Sequence, residues 1–340
     1  MKLLELETNG SLVNMQTIDK NILWTYVPPE IDWEFNKEFY LIDLYCLCVS
    51  AKLFKSKFKY KTIKLYTNKE IITFFKDTEY FDEFIDISYC YDVIKEQNAG
   101  FSHKNIMFKV FVASQQIDPF IHIDHDLFIN NSDIFSKVNK DIIFSFIETA
   151  SNLNGNQLNN PYAFYIKVFS DVCRVIDDVM LDNFNPLRAY NSSIFGANGN
   201  QLITSFTKTK EFLIRNYKKL NNIKDLPIVL EQFVQINYLL EETNFNDYFT
   251  FDELIKFGNT NDNAINKELY SNPSYSNLKK DTYQNLLNHF TSSDIIHLSG
   301  YRWHSYYRII LVNILKELDI HMHEKIKSTY GSYDWNIHTF

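Results

Sequence analysis

The residues best suited to chemistry lie in one short stretch, Phe120-Ile121-His122-Ile123-Asp124-His125-Asp126-Leu127-Phe128-Ile129. An apolar run of β character ends there in two carboxylates separated by a single residue. If 120–123 is a buried strand, Asp124 and Asp126 stand where it leaves the sheet, and side chains two apart on extended chain point to one face. Two carboxylates held side by side repel each other, and a divalent cation removes that repulsion. Hard oxygen ligands of this kind suit Mg²⁺ or Mn²⁺ carried with a phosphate-bearing substrate. The bland alternative is a pair of solvated aspartates at a strand end, and the tripeptide alone does not decide between the two. His122 shares the parity of both acids, so packing beneath them is expected for it.

The elements that must position these acids follow from periodicity. A buried strand is expected over 21–27, stopped by Pro28 and Pro29. A helix with a wide apolar face follows over 35–54. Strands at 61–66 and 84–87 flank a short helix that Asn68 caps. A helix over 104–114, with Ser102 as its cap, leads into the strand that ends at Asp124. This alternation predicts a parallel α/β sheet with right-handed crossovers, whose ligands bind beyond the carboxyl ends of the strands. Trp24 and Thr25, at the end of the first strand, are placed at the same crevice. Further on, a strand over 141–147 ends at Glu148, and a polar loop covers 149–161. A helix is expected over 162–181, a short strand and turn over 187–196, and a helix over 200–219. Another helix spans 226–240, with Pro227 in its first turn and Glu231 within it. The Asn-rich stretch 259–285 reads as a long loop. A strand at 295–300, an amphipathic helix at 306–318 and an aromatic tail at 321–340 complete the chain.

Composition sets the limits. The chain has 340 residues, 45% of them hydrophobic and 16% aromatic, ample for a large core and far from the make-up of a disordered chain. A formal net charge of -8, with no long basic stripe, argues against a nucleic-acid surface. Cys46, Cys48, Cys90 and Cys173 form no C-x-x-C pair, so free, buried thiols in a reducing compartment are expected rather than disulfides or zinc. Cys46 and Cys48 diverge on their helix. The His321-Met322-His323 pair lacks an evident third ligand. Residues 1–12 carry Glu5 and Glu7 and no apolar signal core. No run approaches the ~20 apolar residues of a membrane span. A cytoplasmic protein is expected, with peripheral membrane association left open.

Taken in order, these features resemble the GT-A glycosyltransferases, which move a sugar from a nucleotide-sugar donor to an acceptor. Trp24-Thr25 on the opening strand matches the place of the family's nucleotide contacts. Lys109 matches a basic residue that reaches the donor. Asp124-His125-Asp126 matches the Asp-x-Asp signature. Tyr190-Asn191-Ser192-Ser193-Ile194-Phe195-Gly196 is similar to the strand that builds the sugar and acceptor pocket, with Ser-Ser where Ala-Gly is usual. His297-Leu298-Ser299-Gly300-Tyr301-Arg302-Trp303 is similar to the His-x-x-Gly segment of many retaining members. There the His is a third metal ligand, and the Gly and a basic residue meet the diphosphate. The family's Lys-Pro-Trp continuation is absent.

The resemblance implies a GT-A, Rossmann-like fold with a mostly parallel central sheet and helical insertions near 149–186 and 259–290. It implies one domain over 1–305, its nucleotide-binding half at 20–130 and its acceptor half at 131–305, with 306–340 packed on it. It implies metal ligation by Asp124, Asp126 and His297, with Mn²⁺ favoured over Mg²⁺ by the imidazole. Trp24, Thr25, Lys109, Asp124, Asn191, Gly300 and Arg302 are the expected donor contacts. An oxocarbenium-like transition state calls for a carboxylate near the anomeric carbon, and Glu231 and Glu148 are the candidates. The implied activity moves a hexose from a nucleotide-diphosphate sugar, UDP by family frequency, to a glycan, lipid-linked or protein acceptor. Two rivals stand beside it. One is a metal-dependent nucleotidyl or phosphoryl transferase, which would want a Gly-rich or basic loop where Pro28-Pro29 stand. The other is a non-catalytic sugar-nucleotide-binding protein of the same fold.

Overall fold

The computed structural model describes residues 15–28, 33–90, 104–149, 161–176, 188–220, 223, 230–235, 238–239 and 248–331. The first half alternates as the sequence predicts. It runs β1 (Gln16–Thr25), α1 (Trp33–Lys57), β2 (Phe58–Thr67), α2 (Lys69–Phe75), β3 (Glu83–Asp86), α3 (Lys104–Ala113) and β4 (Phe120–Ile123). Asn68 caps α2, its Oδ1 accepting from the Ile71 amide at 3.1 Å. Ser102 lies outside the described residues.

After β5 (Leu127–Ile129) and β6 (Ile142–Thr149) come α4 (Pro161–Val175), β7 (Arg188–Ala197) and α5 (Asn200–Leu220). Then follow a π-helical turn (Leu230–Val234), β8 (Tyr248–Thr250) and β9 (Ile255–Phe257). The chain closes with α6 (Asn263–Ser271), α7 (Lys280–Ser292), β10 (Ile295–His297), a 3₁₀ turn (Ser299–Trp303), α8 (Ser305–Leu318) and α9 (Ile320–Tyr330).

Two sheets organise these elements. The larger has the order β3-β2-β1-β4-β7-β6-β8, and the smaller β5-β10-β9. β3, β2, β1 and β4 run parallel, β7 is antiparallel to both of its neighbours, and β8 is parallel to β6. The class is therefore α/β with a mostly parallel central sheet. The chain grows outward from β1 to β3 and returns to place β4 on β1's other side. The crevice beyond β1 and β4 is thus the point where strand order reverses.

Both faces of the large sheet are covered. Ile22, Trp24, Ile63, Leu65 and Ile121 share a core with α1 and α8, while Leu23, Tyr66, Phe120 and Phe195 share one with α3 and α5. α8 packs on α1, and its apolar run Ile309 to Val312 is fully buried. β4 and β7 approach so closely at Gly196 that a Cβ there would collide with the Phe120 carbonyl.

Three expectations are corrected. The 259–285 stretch is no loop but contains α6 and the first turns of α7. Asp262 caps α6 by accepting from the Ala264 and Ile265 amides, and Asn272 ends it with φ of 44°. The Asn residues thus punctuate helices, as their affinity for caps and left-handed backbone allows. α7 is anchored by Tyr283, Leu286, Leu287 and Phe290, a helical spacing hidden among polar residues. The start of the tail is helical as well, so His321 and His323 do not have the spacing of extended chain, and His323 Nδ1 meets the Tyr45 hydroxyl at 2.8 Å. None of the four cysteines is in a disulfide, but Cys173 is exposed rather than buried. Among the described residues no helix is long and apolar enough to cross a membrane.

Candidate metal and diphosphate site

Asp124, His125 and Asp126 form the link between the two sheets. β4 ends at Ile123, the Leu127 amide donates to the Asp124 carbonyl at 3.1 Å, and β5 begins. The acids therefore converge through a tight turn, not through the period of extended chain that the sequence suggests. Backbone bonds fix both. The Asp124 amide donates to the Ser193 carbonyl at 2.8 Å, and the Asp126 carbonyl accepts from the Leu298 amide at 3.0 Å. The second bond continues the pairing of β10 with β5, which sets His297 opposite Leu127.

The result is a cluster of one ligand atom each from Asp124, Asp126 and His297, all within 4.8 Å of one another. His297 Nε2 lies 3.5 Å from Asp126 Oδ1, and His297 Nδ1 is buried with no hydrogen-bond partner among the described residues. Two carboxylates and an imidazole with an unengaged ring nitrogen are a donor set that fits Mn²⁺ or Mg²⁺.

Two cations of the chain already neutralise the acids. The Lys109 ammonium, from α3, lies 2.6 Å from Asp124 Oδ1 and 3.1 Å from Glu231 Oε1. Arg302 donates through Nη1 to Asp126 Oδ2 at 2.7 Å and through Nε to Asp43 Oδ1 at 2.5 Å. It also reaches the Ser299 carbonyl. Ser299 itself has left-handed backbone, with φ of 45°. His125 Nε2 is 3.5 Å from the same Asp43 oxygen. Lys109 and Arg302 thus grip the acids directly, where the sequence had them offered to a diphosphate.

Burial and pairing set the protonation states. Burial is the largest influence on Asp126 and Asp43 and pushes both up, but Arg302 together with His297 at Asp126 and His125 at Asp43 outweighs it, so each stays below the usual carboxylate range. Burial opposes the charge on Lys109, yet Asp124 and Glu231 hold its pKa above the ordinary value. For Glu231, burial dominates and Lys109 only partly offsets it, so its carboxyl is pushed up. His122 is driven well below the usual imidazole range by burial and by Lys109.

The other expected residues divide. Thr25 reaches the site from below, its Oγ1 at 3.0 Å from His122 Nε2, and His122 stacks on Phe195 at 4.7 Å between ring centroids. His122 is thus packing beneath the acids, as its parity implies. Trp24 is corrected. It is fully buried on the opposite face of β1, in edge contact with Phe54 and Phe81, its Nε1 donating to Ser50 Oγ at 3.3 Å. Asn191 Oδ1 accepts from the Ser193 amide at 3.0 Å within a bulge of β7, where the Ser145 hydroxyl also accepts from the Ile194 amide. Gly300 is exposed and has open space where a Cβ would project. Glu231 lies in the π-helical turn, a form often found at functional sites. Glu148 pairs with Ala189 in β6, and its side chain lies outside the described residues. Asp43 was missed, because a single acid on a long apolar helix carries no spacing signal.

No protein-family model matches the chain. No curated protein matches it either. Among solved structures the chain is similar to apo mouse xyloside xylosyltransferase 1, at 11% identity over 82% of this chain and 97% of that one, with a TM-score of 0.40. It is also similar to the WbbM bifunctional glycosyltransferase, at 14% identity over 90% of this chain and 51% of that one, with a TM-score of 0.41. The glycosyltransferase GlyE of Streptococcus pneumoniae TIGR4 gives 9% identity over 87% and 63% of the two chains, with a TM-score of 0.35. The chain thus spans about half of WbbM and 63% of GlyE. At such identities and scores, the geometry of the site has to carry the functional reading.

Proposed function

We propose that this chain is a metal-dependent glycosyltransferase of the GT-A type, moving a hexose from a nucleotide-diphosphate sugar to a glycan, lipid-linked or protein acceptor. The observation that carries it is the Asp124, Asp126 and His297 cluster, within 4.8 Å, beyond the ends of β1 and β4. Bound there, Mn²⁺ or Mg²⁺ would act as a Lewis acid toward the departing diphosphate. Arg302 supplies a planar, permanently charged group suited to a phosphate, and Lys109 a second positive charge. Gly300 leaves room for the diphosphate to approach the backbone. Glu231, buried beside Lys109, is the carboxylate best placed to stabilise a sugar cation or accept the acceptor's proton. UDP is the first nucleotide to test.

A second reading has one observation in its favour. Lys109 and Arg302 already balance both aspartates, so a sugar-nucleotide-binding protein would not need a metal here. Thermal denaturation with UDP or GDP, with and without Mn²⁺, separates the two. A ligand at 100 times its Kd adds about 2.7 kcal/mol of stability. Stabilisation that requires both nucleotide and Mn²⁺, and that Asp126→Ala abolishes, supports the transferase. Stabilisation by nucleotide alone, unchanged by Mn²⁺, supports the binder.

A further inference from the structure

Exposed aromatic side chains are concentrated beside the site. Among the described residues four large aromatics are exposed, namely Tyr89, Phe257, Tyr270 and Trp303. Three of the four belong to one band that starts at the metal-ligand cluster. Phe257 is the β9 partner of His297, their rings 5.9 Å apart. The next residue, Gly258, lies against the Tyr301 ring so closely that a Cβ would overlap it. Tyr301 contacts Tyr270 at 6.0 Å between centroids, their hydroxyls hydrogen-bonded at 2.9 Å, and both rings contact His304. Trp303 flanks the Arg302 guanidinium, which lies 4.5 Å from its ring centroid. Tyr270 is 55% exposed, and Trp303 and Phe257 are each 37% exposed.

Scattered surface apolar residues need no explanation, but rings grouped at a cleft mark a binding surface. The composition of this one is selective. Among the described residues the exposed aliphatics Ile117, Val175, Ile214 and Ile320 all lie on other elements, so the exposed large apolar side chains of the band are all aromatic. It offers flat rings with polar edges: two phenol hydroxyls, an imidazole and an indole. A pyranose is complementary to that. One face of it presents C–H bonds that lie against a ring, while its hydroxyls radiate toward polar tips.

We propose that the band formed by Phe257, Tyr270, Tyr301 and Trp303 is a saccharide-binding platform that seats a neutral glycan acceptor beside the metal and diphosphate site. The assignment of the occupant as acceptor rests on the transferase reading, whereas binding of sugar to the band stands by itself.

The test is saturation-transfer NMR on the full chain, without nucleotide or metal, using cellobiose, lactose, maltose and methyl α-mannoside as probes. Saturation transfer to the C–H protons of at least one sugar is expected. Tyr270→Ala and Trp303→Ala should weaken it about fivefold or more, as loss of a stacking ring does elsewhere. Tyr270→Phe and Trp303→Phe, which keep a ring, should retain most of it. No transfer to any of the sugars, or transfer indifferent to both alanine variants, overturns the platform. So does concentration-dependent self-association that both variants abolish, since the band would then be a protein interface. The nucleotide and Mn²⁺ stabilisation, measured on Tyr270→Ala, is read separately. Its absence in the unsubstituted chain defeats the transferase reading while a sugar signal would still stand.

Discussion

The Lys109 ammonium lies 3.1 Å from the Glu231 carboxylate and shares its charge with Asp124 on the other side. One cation thus serves two acids from different elements, α3 holding the cation and the π-helical turn holding Glu231. Removing it leaves two buried carboxylates facing each other. Breaking a buried pair from one side costs about 3–5 kcal/mol. Lys109→Met should therefore lower the unfolding free energy by that order, read as a lower urea midpoint with the slope unchanged. Adding Glu231→Gln should recover part of the loss, because the two effects are coupled. Additive effects would show that the contact carries little energy.

Arg302 occupies Oδ2 of Asp126, a residue of the ligand set. A divalent ion and the guanidinium therefore compete for that carboxylate. Arg302→Gln should tighten Mn²⁺ binding, measured by electron paramagnetic resonance in the absence of nucleotide, by roughly tenfold if about 1.4 kcal/mol of ion pairing is relieved. The same variant should weaken nucleotide-diphosphate binding measured calorimetrically. Weaker Mn²⁺ binding in the variant would mean that Arg302 organises the ligands rather than competing with the ion.

Acid and base limbs of stability should have different owners. Asp43 and Asp126 hold protons less tightly folded than unfolded, so their contribution is complete above the unfolded carboxylate range and is lost as pH falls below it. Glu231 is raised by burial, so the folded state holds its proton more tightly and stability falls as pH rises through the interval above its unfolded value. Asp43→Asn should flatten the decline below about pH 5, whereas Glu231→Gln should remove a decline on the rising side. Denaturation midpoints measured from acid to neutral pH check both signs.

Trp24 separates packing from binding. It is fully buried between β1 and α1, so Trp24→Ala should cost about 3–5 kcal/mol. Trp24→Phe, which keeps a ring there, should leave nucleotide affinity unchanged by calorimetry. A loss of affinity without loss of stability in Trp24→Phe would return Trp24 to the crevice.

Trp24 also marks where sequence reading stops. A strand covered on both faces is apolar throughout, so its pattern reveals the strand but not which neighbour looks into the cleft. Thr25 and Trp24 are adjacent, and only the packed sheet assigns one to His122 and the other to Phe54. The alternation of the first 123 residues and the acid pair at the end of β4 were legible because both are local patterns. Asp43 was not, since its meaning arises only when α1 meets the Ser299–Trp303 turn. The α6 and α7 segment was misread because cap residues and a polar outer face hid four buried anchors.

The placement of β10 between β5 and β9 has a consequence for how the site comes into being. Asp126 and Arg302 stand 176 residues apart along the chain, and the three short strands of the small sheet are what bring them together. Closing so long a loop is slow, and such contacts form late. The ligand cluster is therefore expected to form late in folding, and local opening of that three-stranded clasp would dismantle it while the seven-stranded sheet stays intact.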